Sequence, residues 1–147
     1  MDRPEAGFAI RLVSWDEARE SLVGVRREVF IVEQNVPEVL EWDAEDAVSL
    51  HALAVSTSGE AIGTARLLPD GHIGRMAVLF AWRGQGVGSA LLSSMIESAR
   101  AHGHATARLN AQVQALPFYR RFGFEAQGEL FLDAGMAHRA MTLRLTG

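Results

Sequence analysis

The chain of 147 residues carries a formal net charge of −4 and is 48% apolar and 22% charged, which is the composition of a globular chain large enough to bury a core. Its acidic balance argues against a protein that binds nucleic acid or an anionic membrane by charge. Because it has no cysteine, it has neither disulfides nor a cysteine nucleophile.

The single domain expected over residues 1–147 begins with a predicted strand at 8–13, followed by a helix. Ser14 stands three residues before Glu17, which is the spacing of a capping box. Beyond residue 33 the periodicity is lost, and acidic residues accumulate up to residue 46. The apolar residues at helical spacing, which mark the face expected to be buried, are Leu22, Val25, Val29 and Val32.

The second half of the chain alternates strands with helices. A hairpin is predicted where Thr57-Ser58-Gly59-Glu60 separates two apolar runs, and Gly103 is a predicted helix C-cap. This order predicts an α/β protein with mixed strand directions in its sheet. The predicted strands are 51–56, 61–68, 73–79, 106–111, 124–133 and 139–145, and the predicted helices are 86–102 and 117–121.

A glycine-rich turn, Arg83-Gly84-Gln85-Gly86-Val87-Gly88, joins the strand at 73–79 to the helix that follows. Glycines let backbone N–H groups approach a ligand, the helix N-terminus adds partial positive charge, and the arginine adds a fixed cation. The turn therefore predicts a phosphate-bearing ligand. A Walker loop is excluded because the chain has no lysine, and a dinucleotide-binding fingerprint is excluded by the glycine order and the mid-chain position.

The pattern Arg83-x-x-Gly86-x-Gly88 resembles the coenzyme A pyrophosphate loop of the GNAT superfamily of N-acyltransferases. The segments 109–112 and 117–124 fit a later strand and the fourth helix of that superfamily in order and spacing. The resemblance implies a GNAT-like fold, a mixed and mostly antiparallel central sheet flanked by helices, with a splayed central strand pair. The segments similar to its ElaA-like branch are Arg27 to Pro37, His51-Ala52-Leu53 and Gly135-Met136-Ala137-His138.

The resemblance also implies acetyl-CoA, or another acyl-CoA, as co-substrate. The pyrophosphate would lie on the loop and on the first turn of the helix, and the pantetheine arm would pair with the exposed edge of the preceding strand. A backbone N–H of that strand can polarise the thioester carbonyl, and the Asn110 amide can bind the arm or that carbonyl. The implied CoA-binding residues are Met76, Ala77, Val78, Arg83, Gly84, Gln85, Gly86, Val87, Gly88, Ser89, Asn110 and Phe118.

Acyl transfer to an amine needs a group that takes a proton from the amine and one that gives a proton to the thiolate. By the resemblance Tyr119, the chain's one tyrosine, is the acid, because a phenol with a pKa of about 10 is neutral; the alternative is a core aromatic. Glu33 is the candidate base, and its alternative is a helix-end carboxylate. The missing cysteine favours direct attack over a cysteinyl acyl-enzyme, and a seryl acyl-enzyme stays open.

Residues that could bind the acceptor lie in the acidic loop and in two strands. The acids would attract a cationic amine or form a solvated face. An arginine within a strand needs a partner or a ligand, and the histidine of the branch motif either faces the acceptor or makes a structural hydrogen bond. These candidates are Glu41, Asp43, Asp46, Arg75 and His138.

The expected partner is a small-molecule or peptide amine, whose identity the sequence leaves open. The five histidines lack the spacing of a metal site, so no metal is expected, and neither is a nucleic-acid or membrane partner. The N-terminus has no signal-peptide pattern and no apolar run approaches the roughly 20 residues of a membrane span, so a cytoplasmic protein is expected. The superfamily often pairs through edge strands, which makes a homodimer an expectation from resemblance.

Three other functions stay open at this point. A non-catalytic acyl-CoA-binding sensor or scaffold would keep the loop and lack turnover. An enzyme similar to acyl-homoserine-lactone synthases would share the fold, but the well-formed pyrophosphate loop speaks against it. A generic α/β domain with an empty glycine-rich turn is disfavoured by the agreement of several motifs.

Overall fold

Residues 7–146, which the computed structural model describes, form seven strands and four α-helices joined by shorter helical turns. A π-helical segment, Arg27–Glu33, extends the first helix. The predicted order of elements is confirmed, although the last strand begins before residue 139. The strands are β1 (Phe8–Val13), β2 (Leu50–Ser56), β3 (Ala61–Leu67), β4 (Ile73–Val78), β5 (Thr106–Gln112), β6 (Glu125–Asp133) and β7 (Met136–Arg144), and the helices are α1 (Trp15–Arg26), α2 (Glu38–Glu41), α3 (Val87–Ala101) and α4 (Leu116–Arg120).

The strands form two antiparallel sheets, in the orders β1-β2-β3-β4 and β5-β7-β6. Within the described part of the chain the two sheets are bridged at one point only, where His72, just before β4, pairs in parallel with Arg108 of β5. There the Arg108 N–H donates to the Gly71 carbonyl at 3.1 Å. Past this bridge the two strands separate and leave a slot between the sheets. The mixed α/β fold with a splayed central pair, expected from the sequence, is therefore confirmed.

Apolar side chains are buried on both faces of the larger sheet. Because successive side chains of a strand point to opposite faces, Ala52 and Ala54 of β2 join the cluster packed on α3. Leu53, between them, joins Leu22 of α1 in a second cluster. The sheet is thus sandwiched between α1 and α3, which fixes the position of both helix ends relative to the slot.

The start of α1 follows the prediction and its end does not. The Glu17 N–H donates to Ser14 Oγ at 3.2 Å and the Ser14 N–H donates to Glu17 Oε1 at 2.7 Å, so the capping box is confirmed. Val32, however, is 59% exposed, and its expected burial was wrong. It lies in the π-helical segment, whose wider turns change the angle between successive side chains. A pattern spaced for an α-helix therefore points away from the core by residue 32.

The close approach of α3 to β3 depends on Gly63. A Cβ at this position would lie 2.9 Å from Leu91 Cδ1 and 3.2 Å from the Ala77 carbonyl oxygen. We expect Gly63→Ala to lower the free energy of unfolding by about 1–3 kcal/mol, because the added methyl overpacks the interface. Gly24→Ala in α1 is the matched control, since nothing lies within 4 Å of its added Cβ. Urea unfolding should show the control unchanged or up to about 1 kcal/mol more stable; a Gly63→Ala protein as stable as wild type would contradict the packing argument.

Candidate functional site

A cavity of about 370 Å³ occupies the slot between the two sheets. Its walls come from β3 and β4, from β5 and α4, from the chain after α1, and from the tip of the β6–β7 hairpin. Elements far apart in sequence thus converge on one site. Of the residues predicted from the sequence, those that line this cavity are Glu41, Arg75, Met76, Asn110, Tyr119 and His138.

A β-bulge shapes the β4 wall of the cavity. Thr64 pairs with Ala77 and Arg66 pairs with Gly74, so one residue of β3 faces two residues of β4. Arg75 takes up the extra length with a φ of 48°, a left-handed conformation that costs a residue with a side chain roughly 1–2 kcal/mol. The Thr64 hydroxyl holds it by donating to the Arg75 carbonyl at 3.0 Å. The bulge breaks the regular edge of β4 beside the slot.

Beyond the bulge, β4 turns the backbone groups of Val78 away from β3. The Leu79 N–H donates to the Ile62 carbonyl at 2.9 Å, and hydrogen-bonded pairs alternate along antiparallel strands. Val78, which pairs with Gly63, therefore directs its own N–H and carbonyl away from β3, and the carbonyl accepts from Arg83. This is the edge at which an extended amide chain such as pantetheine can add to the sheet.

The glycine-rich loop leaves the N-terminus of α3 accessible. Gly84 and Gly86 have φ values of 76° and 88°, and nothing lies within 4 Å of a Cβ built on either. Gly86 occupies the N-cap, so no side chain accepts from the first N–H groups of the 15-residue helix. Free N–H groups at a helix N-terminus are suited to an anion. The residues present therefore fit a pyrophosphate, and their role in binding it stays a prediction.

Arg83 connects this loop to the end of the π-helical segment. Its Nη1 and Nη2 donate to the two carboxylate oxygens of Glu33 at 2.6 and 2.7 Å, and its Nε donates to the Val78 carbonyl at 3.0 Å. The hydrogen bonds from Arg83 lower the pKa of Glu33. Glu33 lines a second pocket, between α1 and Leu79, rather than the cavity that holds Tyr119. Its role as the base stays a prediction, which this ion pair does not favour.

Tyr119 enters the cavity from α4, and Phe118 faces the loop. The Tyr119 ring packs edge-on against Phe118 and Phe124, with centroids 5.0 and 6.1 Å away. Burial raises the pKa of Tyr119 to about 12, so the phenol remains protonated at neutral pH. A Cβ at Gly88 would lie 3.7 Å from Phe118 Cζ and 3.9 Å from Val78 Cγ2. The aromatic pair thus links the first turn of α3 to the part of the slot that holds Tyr119.

His138, on β7, lines the same cavity as Tyr119. It is 7% exposed, stacks on Phe131 with a centroid distance of 5.8 Å, and has Nδ1 2.8 Å from the Met136 carbonyl oxygen. Because a carbonyl only accepts, Nδ1 must carry the proton of that hydrogen bond. In the neutral ring Nε2 is then a free acceptor. The arrangement makes His138 a group that could take a proton within the cavity.

A buried ionic network lies beneath the β3–β4 wall. Arg26, at the end of α1, has no exposed surface; its Nε donates to Glu41 Oε2 at 2.8 Å and its Nη1 donates to Asp46 Oδ1 at 2.8 Å. Arg66 Nη1 donates to Asp43 Oδ1 at 2.9 Å and to Asp46 Oδ1 at 3.0 Å. Arg75 Nη2 donates to the Glu41 carbonyl at 3.0 Å and to Asp43 Oδ2 at 3.2 Å.

This network changes what the acidic loop can do. Burial raises the pKa of Glu41. Burial would also raise the pKa of Asp46, yet hydrogen bonds from Arg26 and Arg66 bring it below its usual value. Glu41, Asp43 and Asp46, predicted as acceptor-binding residues, are thus paired with arginines and hold the loop against β3 and β4. The sequence did not single out Arg26, since its position at helical spacing next to Val25 gives no sign of burial.

Among residues 7–146 no group of three or more His, Asp or Glu side chains could hold a metal ion. No helix in the same range is long and apolar enough to cross a membrane.

Comparison with known proteins identifies the family to which the chain belongs. The family described as "Acetyltransferase (GNAT) domain" matches residues 15–145. The chain belongs to the GNAT family. Its relatives include the uncharacterised N-acetyltransferase YjcF of Bacillus subtilis, 38% identical over 121 residues, which cover 80% of this chain and 86% of YjcF.

Solved structures of GNAT proteins have the same fold. The crystal structure of Escherichia coli ElaA is 28% identical, with a TM-score of 0.84 over 93% of this chain and 99% of ElaA. An acyl-CoA N-acyltransferase from Pseudomonas aeruginosa is 29% identical, with a TM-score of 0.83 over 92% of this chain and 99% of that protein. The resemblance to the ElaA-like branch is confirmed, and this GNAT protein is an acyl-CoA-dependent N-acyltransferase.

Proposed function

We propose that this GNAT protein transfers an acyl group, first of all acetyl, from acyl-CoA to a primary amine by direct attack while both substrates are bound. The observation that carries the proposal is the single cavity in which Tyr119, His138 and Asn110 meet the open edge of β4. The loop that fits a pyrophosphate opens at one end of this edge. Donor and acceptor could therefore meet in the slot without a carrier residue.

The loop and the strand edge would hold the donor. The N–H groups of Gly84 to Ser89 would bind the pyrophosphate, and the groups of Val78 that point away from β3 would pair with the arm. Bound acyl-CoA supplies an activated thioester. Arg83 now donates to the Val78 carbonyl, so we expect this side chain to move toward the pyrophosphate when the arm takes its place. The Asn110 amide, at the opposite edge, is available for the arm or the thioester carbonyl.

Tyr119 would act as the general acid. Its phenol is protonated well above neutral pH because burial raises its pKa to about 12, and it lines the same cavity as His138 and Asn110. A leaving thiolate beside it would take the proton of the phenol. The proton that the amine releases would then reprotonate the phenolate. The chain has no cysteine and no lysine, which removes the two most nucleophilic alternatives to direct transfer.

His138 is supported as the group that takes the proton from the amine. Its Nδ1–H is held by the Met136 carbonyl and its Nε2 is free to accept. Glu33, the base predicted from the sequence, shares both carboxylate oxygens with Arg83, and a lowered pKa makes it a weaker base. The geometry therefore favours the imidazole, and the two assignments give different kinetic results.

The proposal is tested by titration with acetyl-CoA, free CoA and dephospho-CoA in a calorimeter, followed by turnover with a panel of amines. We expect micromolar binding that survives loss of the ribose 3′-phosphate, because the loop contacts the pyrophosphate. Thiol release reports turnover without background, since the protein contributes no thiol. Initial rates at varied concentrations of both substrates should give intersecting reciprocal plots, as a ternary complex requires.

Each other outcome has a distinct meaning. Parallel reciprocal plots would indicate an acyl-enzyme and contradict direct transfer. Binding of acetyl-CoA without thiol release for any amine would favour a sensor or scaffold. If the protein binds none of the three nucleotides, the loop is not a pyrophosphate site and the mechanism that depends on it is wrong.

A further inference from the structure

Two guanidinium groups at the β3–β4 wall of the cavity have unused hydrogen-bonding capacity. Arg66 is 5% exposed, and its buried Nε has no hydrogen-bond partner among the described residues. Arg75 Nε lies 3.0 Å from Glu41 Oε2, but its N–H direction misses that oxygen and it too lacks a hydrogen bond within residues 7–146. Both side chains line the cavity. Buried N–H groups of a charged side chain are rarely left unpaired, so these suggest a missing partner.

The backbone holds one of these groups at the cavity under strain. Arg75 has its left-handed φ of 48° inside a strand, and its side chain is 25% exposed although it belongs to a buried network. Strain of this kind persists where surrounding contacts impose it, and it is concentrated at ligand-binding positions. Here the Thr64 hydroxyl and the Glu41 carbonyl impose it from two sides.

The charges of the network limit what the partner can be. Arg26, Arg66 and Arg75 are matched by Glu41, Asp43 and Asp46, so a dianion such as phosphate would leave a large uncompensated charge. A single negative charge is better tolerated, because burial raises the pKa of Glu41 and eases its protonation. A carboxylate lying side-on against a guanidinium accepts from Nε and one Nη together, and Nε is the atom without a hydrogen bond in both side chains.

We propose that the acceptor of this N-acyltransferase carries a carboxylate, bound by Arg66 and Arg75, in addition to its amine. The inference rests on the proposed function and names the substrate class. The opposite wall, from β6 and β7, contributes Asp133 and His138, so an ammonium end has an anionic and a proton-accepting neighbour there. An amino acid spanning the slot places its carboxylate on β3–β4 and its amine beside Tyr119 and His138.

The experiment compares acceptors that differ only in charge. Glycine, L-leucine, β-alanine and γ-aminobutyrate are each assayed against their primary amides with acetyl-CoA as donor. We expect at least one acid to exceed its amide by about tenfold or more in kcat/KM. Arg75→Met should lower kcat/KM for the acid by about tenfold more than kcat/KM for the amide, because it removes a charge partner that the amide does not use.

A matched control separates this effect from a general loss of charge. Arg139 also has a buried Nε without a described partner, and its Nη2 donates to the Gly128 carbonyl at 2.7 Å, outside the set of residues that line the cavity. Arg139→Met should keep the preference for the acid. Thermal unfolding of both variants shows whether either has lost its fold, and Arg75→Lys, which keeps the charge, should recover part of the preference.

Binding gives a readout besides turnover. The CoA-saturated protein is titrated in a calorimeter with the N-acetylated acids and with the N-acetylated amides. We expect the acids to bind at least about tenfold more tightly than the amides. Equal binding or equal rates for acids and amides, in a protein that turns over amines, would overturn the carboxylate site while leaving the transferase intact. A protein that binds acetyl-CoA but neither acetylates nor binds any of the acids would overturn it as well. Failure to bind acetyl-CoA would instead count against the proposed function, and with it this inference.

Discussion

Tyr119→Phe is expected to lower kcat by a factor of about 10² to 10⁴ and to leave the affinity for acetyl-CoA within about twofold. The substitution removes the one hydroxyl that can protonate the leaving thiolate and keeps the ring that packs on Phe118 and Phe124. Calorimetry with acetyl-CoA and thiol-release kinetics measure the two quantities separately. A matched substitution is Phe122→Leu, which alters the same aromatic group without touching the phenol and should retain most of the activity.

The pH dependence adds a second readout to the Tyr119 assignment. Because burial raises its pKa to about 12, the acid form is fully present at neutral pH and is lost only near that value. Any decline in wild-type kcat between about pH 8 and pH 10 should therefore persist in Tyr119→Phe, because it does not come from the phenol. A decline that disappears in the variant, or a variant with undiminished kcat, would contradict a role for this phenol as the acid.

His138→Asn is expected to reduce kcat/KM for the amine by about 10² or more at neutral pH. Asparagine can still donate to the Met136 carbonyl in place of Nδ1–H, but it has no group at the position of Nε2. Deprotonation would then be left to solvent, and an alkyl ammonium has a pKa of about 10.4. The rate of the variant should consequently rise by roughly tenfold for each pH unit from 7 to 9, and approach the wild-type rate as the free amine accumulates.

Glu33→Gln provides the comparison that separates the two candidate bases. It releases Arg83 from its ion pair, so we expect a change in KM for acetyl-CoA with kcat and its pH profile preserved. If Glu33→Gln instead shows the steep pH dependence and His138→Asn does not, the base predicted from the sequence is the correct one. Equal and pH-independent losses in both variants would exclude either residue as the base.

Local patterns were sufficient to predict most of the fold. The capping box at Ser14, the loop before α3 and the Pro117 to Phe124 segment each involve residues within a few positions of one another, and such signals are readable without tertiary structure. Their order then matched a family whose topology supplies the splayed pair. The cavity residues Tyr119, Asn110 and His138 could be predicted because they lie in the segments 117–124, 109–112 and 135–138, which resemble the family.

The remaining features depend on contacts between distant residues. Glu33 and Arg83 are 50 positions apart, and nothing local indicates that the predicted base pairs with the predicted phosphate-binding cation. The same holds for Arg26, which finds Asp46 across 20 positions. The left-handed conformation of Arg75 is imposed by a bulge opposite β3, because no local signal favours a positive φ at an arginine. The burial of Val32 was predicted wrongly because an α-helical spacing of apolar residues gives no sign of a π-helical turn.

The division of the sheet has a consequence for the stability of the folded protein. Within residues 7–146 the two halves share one bridge, between His72 and Arg108, and an acyl-CoA arm lying between β4 and β5 would cross-link them along the rest of the gap. A ligand that binds only the folded form raises its stability by about 2.7 kcal/mol at a hundredfold excess over Kd. We therefore expect bound acyl-CoA to hold the two sheets together much as an additional strand would. A shortage of acyl-CoA would then shorten the lifetime of the folded protein as well as slow its reaction.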